Sequence, residues 1–353
     1  MYVILYLQIF KEDAMKKFLL FLFTALSFCL MTGCGERKMS EEEIQRKVDA
    51  LHEKVVEAEK KRDFSQVATI ITEVLTYCAL LEENNSYKKH VVFSASQRMG
   101  IAKYYLEDYK DAIVYLETAL AVELEETESI LNQRLDMQIG LANAYEQLGD
   151  EQKRDYYLNL AEKRVRELEN SDDKGEAYIL ERLYFFYFAK SKILQKEKRL
   201  DDALKNLLKL KAVFEEAKAF DDILYPLTLF HIGKIYYKLH IKSEARLFFE
   251  QTLDNLIEQR KITAMPYIYL IHIYISGHLF DKALLCSEKL LNSIELISMP
   301  QEAKKNKAVI LFCMGKIYIA KKQSREAEEY LRQAKELVPV PVLDQLYCSV
   351  PEI

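Results

Sequence analysis

Six cysteines and six histidines are the side chains of this sequence best suited to covalent or metal chemistry, and their spacing speaks against both. The cysteines stand at 29, 34, 78, 286, 313 and 348, and no two form a C-x-x-C pair. His52, His90, His231, His240, His272 and His278 include no H-E-x-x-H and no i, i+4 pair, the spacing that puts two imidazoles on one helix face around zinc. His231 and His240 are nine apart, a poor match to a single face, and His240 and His278 read as turn residues. No G-x-S-x-G elbow, Walker loop or G-x-G-x-x-G is present. Carboxylate pairs carry no information in a chain with 55 acidic residues. Asn84-Asn85-Ser86 has the form of a glycan acceptor, a match too short to weigh. The expectation is a non-enzymatic chain with no catalytic residue, no cofactor and no metal.

The elements that carry these residues announce themselves by repetition. Gly233-Lys234-Ile235-Tyr236 returns as Gly315-Lys316-Ile317-Tyr318, with Ile271-His272-Ile273-Tyr274 as a degenerate copy between them. Twelve residues separate Gly233 from Ala245, Ile271 from Ala283, Gly315 from Ala327 and, upstream, Gly100 from Ala112. A small residue, an aromatic and an alanine at fixed offsets describe one helical hairpin used repeatedly. The steric reason is that small residues on facing helices let the backbones approach, while bulky neighbours fill the remaining groove. Nine glycines and six prolines in 353 residues are too few breakers for an all-β chain. Pro226, Pro266 and Pro300 fall where a helix should start, and the pair Pro339 and Pro341 where the last should stop.

The final copy, with Met314, Gly315, Tyr318, Ala327, Leu331, Ala334 and Pro339, resembles the tetratricopeptide repeat (TPR). That resemblance implies an all-α fold, a right-handed superhelical solenoid of about seven TPR-like hairpins and fourteen helices. The alanine-equivalent positions 67, 112, 154, 203, 245, 283 and 327 are 38 to 49 residues apart, so the units are long, roughly 42 residues against the usual 34. A weak first copy covers 48–83, with Phe64 at its turn. The charged stretches 121–128 and 169–176 lie between hairpins. Residues 41–338 are expected to form one solenoid domain, followed by a tail over 339–353.

The net charge is −5, and no basic stripe of a nucleic-acid binder appears. At the amino end, Met15-Lys16-Lys17 precedes an apolar run from Phe18 to Met31, then Thr32-Gly33-Cys34. A basic head, an apolar segment and small residues before a break have the form of an export signal. The Gly-Cys junction resembles the lipobox of bacterial lipoproteins, which implies acylation of Cys34 and removal of the peptide before it. Met31 departs from the leucine usual three places ahead of that cysteine. The apolar run is too short for a full membrane span. Residues 1–14 read as a start-site extension, 15–33 as the signal peptide, and 34–40 as a short tether. Ser40 and Glu43 then have the spacing of a capping box. A bacterial cell envelope, with the chain lipid-anchored to a membrane, is the expected location. Export would permit a disulfide, with Cys286 and Cys313 as candidates. The alternative is two small buried thiols.

The TPR resemblance also implies where a ligand sits. In that family the first helix of each hairpin lines the concave side, and the residue after the small position points into the groove. Here those residues are Lys192, Lys234, His272 and Lys316 in four successive hairpins. One turn earlier stand Phe188, Phe230, Ile268 and Phe312, and one turn later Gln195, Tyr237, Ile275 and Ile319. The resemblance thus implies a basic, aromatic-walled groove for an acidic peptide. The competing reading makes the lysines solvated and the aromatics packing residues. The expected function is a membrane-anchored scaffold for a protein or peptide partner. The alternatives are a sensor related to transmembrane helix-turn-helix regulators and a nutrient-binding outer-membrane lipoprotein.

Overall fold

A computed structural model describes residues 39–173, 175–258, 264–297 and 300–338. The signal region, Cys34, Cys348 and the 339–353 tail lie outside the described residues. Within them the regular structure is fourteen α-helices and no strand. The chain divides into two compact units, Met1–Arg166 and Glu167–Ile353. The first holds α1 (Glu41–Lys60), α2 (Phe64–Cys78), α3 (Ser86–Tyr105), α4 (Tyr109–Ala121), α5 (Glu128–Leu148) and most of α6 (Glu151–Glu169). The second holds α7 (Ala177–Lys196), α8 (Leu200–Glu216), α9 (Leu224–Lys238), α10 (Lys242–Glu258), α11 (Ala264–Ser276), α12 (Phe280–Ile297), α13 (Pro300–Ala320) and α14 (Ser324–Leu337). Within each unit a first helix packs on the second helix of its hairpin, and that helix meets the next hairpin. Each unit is thus built of the all-α repeat hairpins expected from the sequence. The charged stretches fall between α4 and α5 and between α6 and α7.

One turn closes every hairpin. Its central residue is left-handed in all seven: Arg62, Glu107, Gly149, Lys198, His240, His278 and Lys322, with φ between 55° and 73°. Each stands five residues before the alanine-equivalent position, so the irregular spacing of the units arises outside the turn. The next amide reaches back five residues to the end of the first helix, as in Asp108 N–H to Lys103 O at 2.9 Å and Gln323 N–H to Tyr318 O at 2.9 Å. That bond satisfies a carbonyl which the helix end leaves unpaired. The same residue then caps the second helix. Asp63, Asp108 and Asp150 accept from the amide three residues on, at 3.0, 3.4 and 3.0 Å. Arg199 and Gln323, at the equivalent places in the second unit, make no side-chain cap. At the start of α1, Ser40 and Glu43 form the capping box in both directions, at 2.9 and 3.2 Å.

The seam within each hairpin follows from the twelve-residue offset. A Cβ added to Gly100 would lie 2.6 Å from Leu116, one on Gly233 2.8 Å from Phe249, and one on Gly315 2.7 Å from Leu331. In each case the intruder belongs to the residue four after the paired alanine. Ala112, Ala245 and Ala283 are fully buried and Ala327 nearly so. The third hairpin breaks the pattern with Arg154, 4 % exposed. Its guanidinium is balanced by Glu146 at 2.9 Å and Asp155 at 2.8 Å, since a buried charge needs a partner. Pro226 and Pro266 sit in first turns, and Pro300 opens α13. Cys286 and Cys313 are buried and unbridged, and burial pushes both thiols up to about 12.

A candidate interaction groove in the second unit

The first helices α7 and α9 meet across adjacent hairpins. On each, a phenylalanine and the lysine four residues later share a face. The Lys192 ammonium lies 5.6 Å from the centre of the Phe188 ring, and Lys234 lies 5.6 Å from that of Phe230. The same pair recurs on α13, where Lys316 stands 4.9 Å from Phe312. These are cation–π distances, and they orient each lysine along its own ring. Phe230 has a second duty. Its ring packs against Phe249 at 5.8 Å and Tyr269 at 5.9 Å, so its inner edge belongs to the inter-hairpin core.

His231 fills the space between the two phenylalanines, 4.5 Å from the Phe188 ring and 5.5 Å from that of Phe230. Burial, and then Lys234 and Lys192, push this imidazole down to about 3, so it is neutral near pH 7. Lys234 is itself lowered, first by burial and then by the charges of Lys238 and Lys192. Lys238 donates to Gln195 Oε1 at 2.7 Å, which ties α9 to the end of α7. Lys192, Lys234 and Lys238 therefore form a cluster of like charge over an aromatic floor, with Phe185 46 % exposed on the same face of α7. An anionic group placed there would lower the mutual repulsion of the ammoniums and gain apolar contact.

Two residues expected in this groove are elsewhere. His272 is 2 % exposed and lies in the core; burial, then Lys316, lowers it to about 4. Tyr237 is 6 % exposed and meets Tyr269 edge-on at 5.2 Å, a core contact. The physical cause is α11. Its sequence AMPYIYLIHIYIS carries no Asp, Glu, Lys or Arg, and a helix apolar all round is a buried helix. His272 rides on it into the interior, and Tyr237 packs against its Tyr269. The ladder is therefore broken at the sixth hairpin, and α7 with α9 forms the continuous patch. His231 is the member that spacing alone did not reveal. Its signal was adjacency to Phe230, two positions before the small Gly233.

Comparison with known proteins agrees with this architecture. Residues 309–340, covering the second half of α13 and all of α14, match the family described as Tetratricopeptide repeat. The fold resembles that of BtubC (BKLC) from P. vanneervenii, with 17 % identity, a TM-score of 0.52, and coverage of 70 % of this chain and 90 % of that one. It also resembles the apo form of RapI, with 13 % identity, a TM-score of 0.51, and coverage of 83 % and 97 %. No curated protein matches the sequence. The chain is thus similar to the tetratricopeptide repeat by sequence in its last hairpin, and its fold resembles those two structures over most of its length.

Proposed function

We propose that this protein is a non-enzymatic scaffold that binds an acidic segment of a protein partner on the α7–α9 face of its second unit. The observation that carries this reading is Lys234. It is half-buried against Phe230, and the charged groups acting on it are two further lysines. Such an arrangement is costly when empty and improves when a carboxylate enters. Repeat surfaces of this kind suit extended chains better than small substrates. The proposal extends to location: Lys16-Lys17, the Phe18–Met31 run and Gly33-Cys34 support attachment to a bacterial envelope membrane through acylated Cys34.

The test is fluorescence anisotropy with a library of labelled acidic peptides and their charge-reversed counterparts. Binding should be restricted to the acidic set, weaken with added salt, and fall by about tenfold or more in Lys192→Glu and Lys234→Glu. Binding that persists in the double variant refutes the groove. Metabolic labelling with a radioactive fatty acid tests the anchor separately: the label should enter the wild-type chain and be absent from Cys34→Ser.

A further inference from the structure

The first unit contains a cleft of about 610 Å3 between α2, α3 and α4, well inside the range of roughly 300–1,000 Å3 that small molecules occupy. Its walls are apolar, with Leu75 from α2, Ala79 just beyond its end, Val92 from α3 and Val114 from α4. Along α3, Lys89, Val92 and Ser96 are spaced i, i+3 and i+7 and so line one face. The cleft is separate from the groove of the second unit, and nothing about it rests on that reading.

Most polar groups lining the cleft are already satisfied. The Thr76 and Thr118 hydroxyls donate to carbonyls of their own helices at 2.9 and 2.7 Å. Buried Lys88 donates to Leu81 O at 2.9 Å and to Glu83 Oε1 at 2.7 Å. Asp111 accepts from Lys103 at 3.1 Å. Glu123 is exposed. Three groups are left. The Ser96 hydroxyl, on a residue only 2 % exposed, has no protein hydrogen bond among the described residues. The Tyr115 hydroxyl has none either, and burial raises its pKa, with Asp111 adding to the effect. Half-buried Lys89 has no ion-pair partner among the described residues. Both hydroxyls belong to residues lining the cleft and are free to donate to a group that enters it. All three groups can donate, and one carries a positive charge.

We propose that this cleft is a binding site for an amphipathic organic anion: an apolar chain lying between Leu75, Val92 and Val114, with a carboxylate held by Lys89. The hydroxyls of Ser96 and Tyr115 would serve an acceptor on the same ligand or an ordered water beside it. The floor is not a covalent trap. The Cys78 thiol is buried, bonds to Lys88 O at 3.6 Å, and is pushed up to about 11 by burial.

Isothermal titration of the full chain with decanoate, decanol and decyltrimethylammonium tests this directly. Decanoate should bind saturably at one site, and at least about tenfold more tightly than either other probe. Lys89→Glu should remove that preference. Val114→Trp, which fills the cleft from a half-exposed position, should abolish binding while leaving the circular-dichroism melt in place. Lys234→Glu should leave decanoate binding unchanged. Equal affinity for the cationic probe, retention of decanoate by both cleft variants, or its loss in Lys234→Glu alone overturns the assignment. Should Val114→Trp fail to fold, Lys89→Glu decides the matter, because its side chain reaches solvent.

Discussion

Gly233→Ala is the sharpest perturbation of the seam. A methyl group at that position would lie 2.8 Å from Phe249 Cε1 and 2.9 Å from Cδ1. Ordinary contact begins near 3.4 Å, so the ring must retreat by about 0.6 Å. It has nowhere easy to go. Phe249 is fully buried, stacked on Tyr269 at 4.8 Å and 19°, and pressed by Phe230. Overpacking of this kind costs about 1–3 kcal/mol. Alanine returns about 0.5–1 kcal/mol through its better helix propensity. The net is a loss of up to about 2 kcal/mol, read as a lower midpoint in urea melts followed by far-UV circular dichroism. Gly140→Ala is the internal control. Its new methyl would meet only the flexible end of Leu116, at 3.3 Å, so propensity should win and stability should hold or rise. In a Phe249→Leu background the cost of Gly233→Ala should shrink by about 1 kcal/mol, a coupling that a double-mutant cycle isolates. A Gly233→Ala protein as stable as the wild type, or an absent coupling, would refute the seam geometry.

Three further outcomes are expected. Gln323→Asp should stabilise the last hairpin by about 0.5–2 kcal/mol, because it supplies the N-cap acceptor that Asp63, Asp108 and Asp150 supply in the first unit; a thermal melt of the full chain checks it. Gly149→Ala should destabilise by about 1 kcal/mol through the left-handed turn alone, since a Cβ there meets nothing within 4 Å; a matched loss from a clash-free site in the same urea melts confirms the cause. Finally, stability should decline as pH falls below about 6.5, the unfolded histidine value, because His231 and His272 stay neutral in the native state down to about 3 and 4. The unfolded chain takes up those protons first, so each histidine removes at most about 1.4 kcal/mol per pH unit across that window. Urea midpoints for His231→Asn should be flatter between pH 6.5 and 4.5 than for the wild type.

Some of this molecule is written in local chemistry. The turn, the capping residue and the seam all fall within about twelve residues of one another, so each hairpin's recipe is visible as a recurring phrase. Helix type, hairpin number, the Ser40–Glu43 box and the turn positions of His240 and His278 could be read in that way. The phenylalanine–lysine pairs on α7, α9 and α13 were legible too, because residues four apart share a helix face whatever surrounds them.

Exposure is a different kind of property, since it belongs to a residue's neighbours. Lys192 and His272 hold equivalent places in the repeat, yet Lys192 is exposed on α7 whereas His272 is enclosed, because α11 is buried at every residue from Pro266 to Tyr274. Only the charge-free composition of α11 hinted at this. The cleft of the first unit left no phrase at all: Ser96, Tyr115 and Lys89 come from two helices, Leu75 from a third, and packing alone brings them around one empty volume. Sequence spacing therefore determined the hairpins and the faces of single helices. Tertiary packing decided which faces stay open, because desolvation depends on atoms distant along the chain.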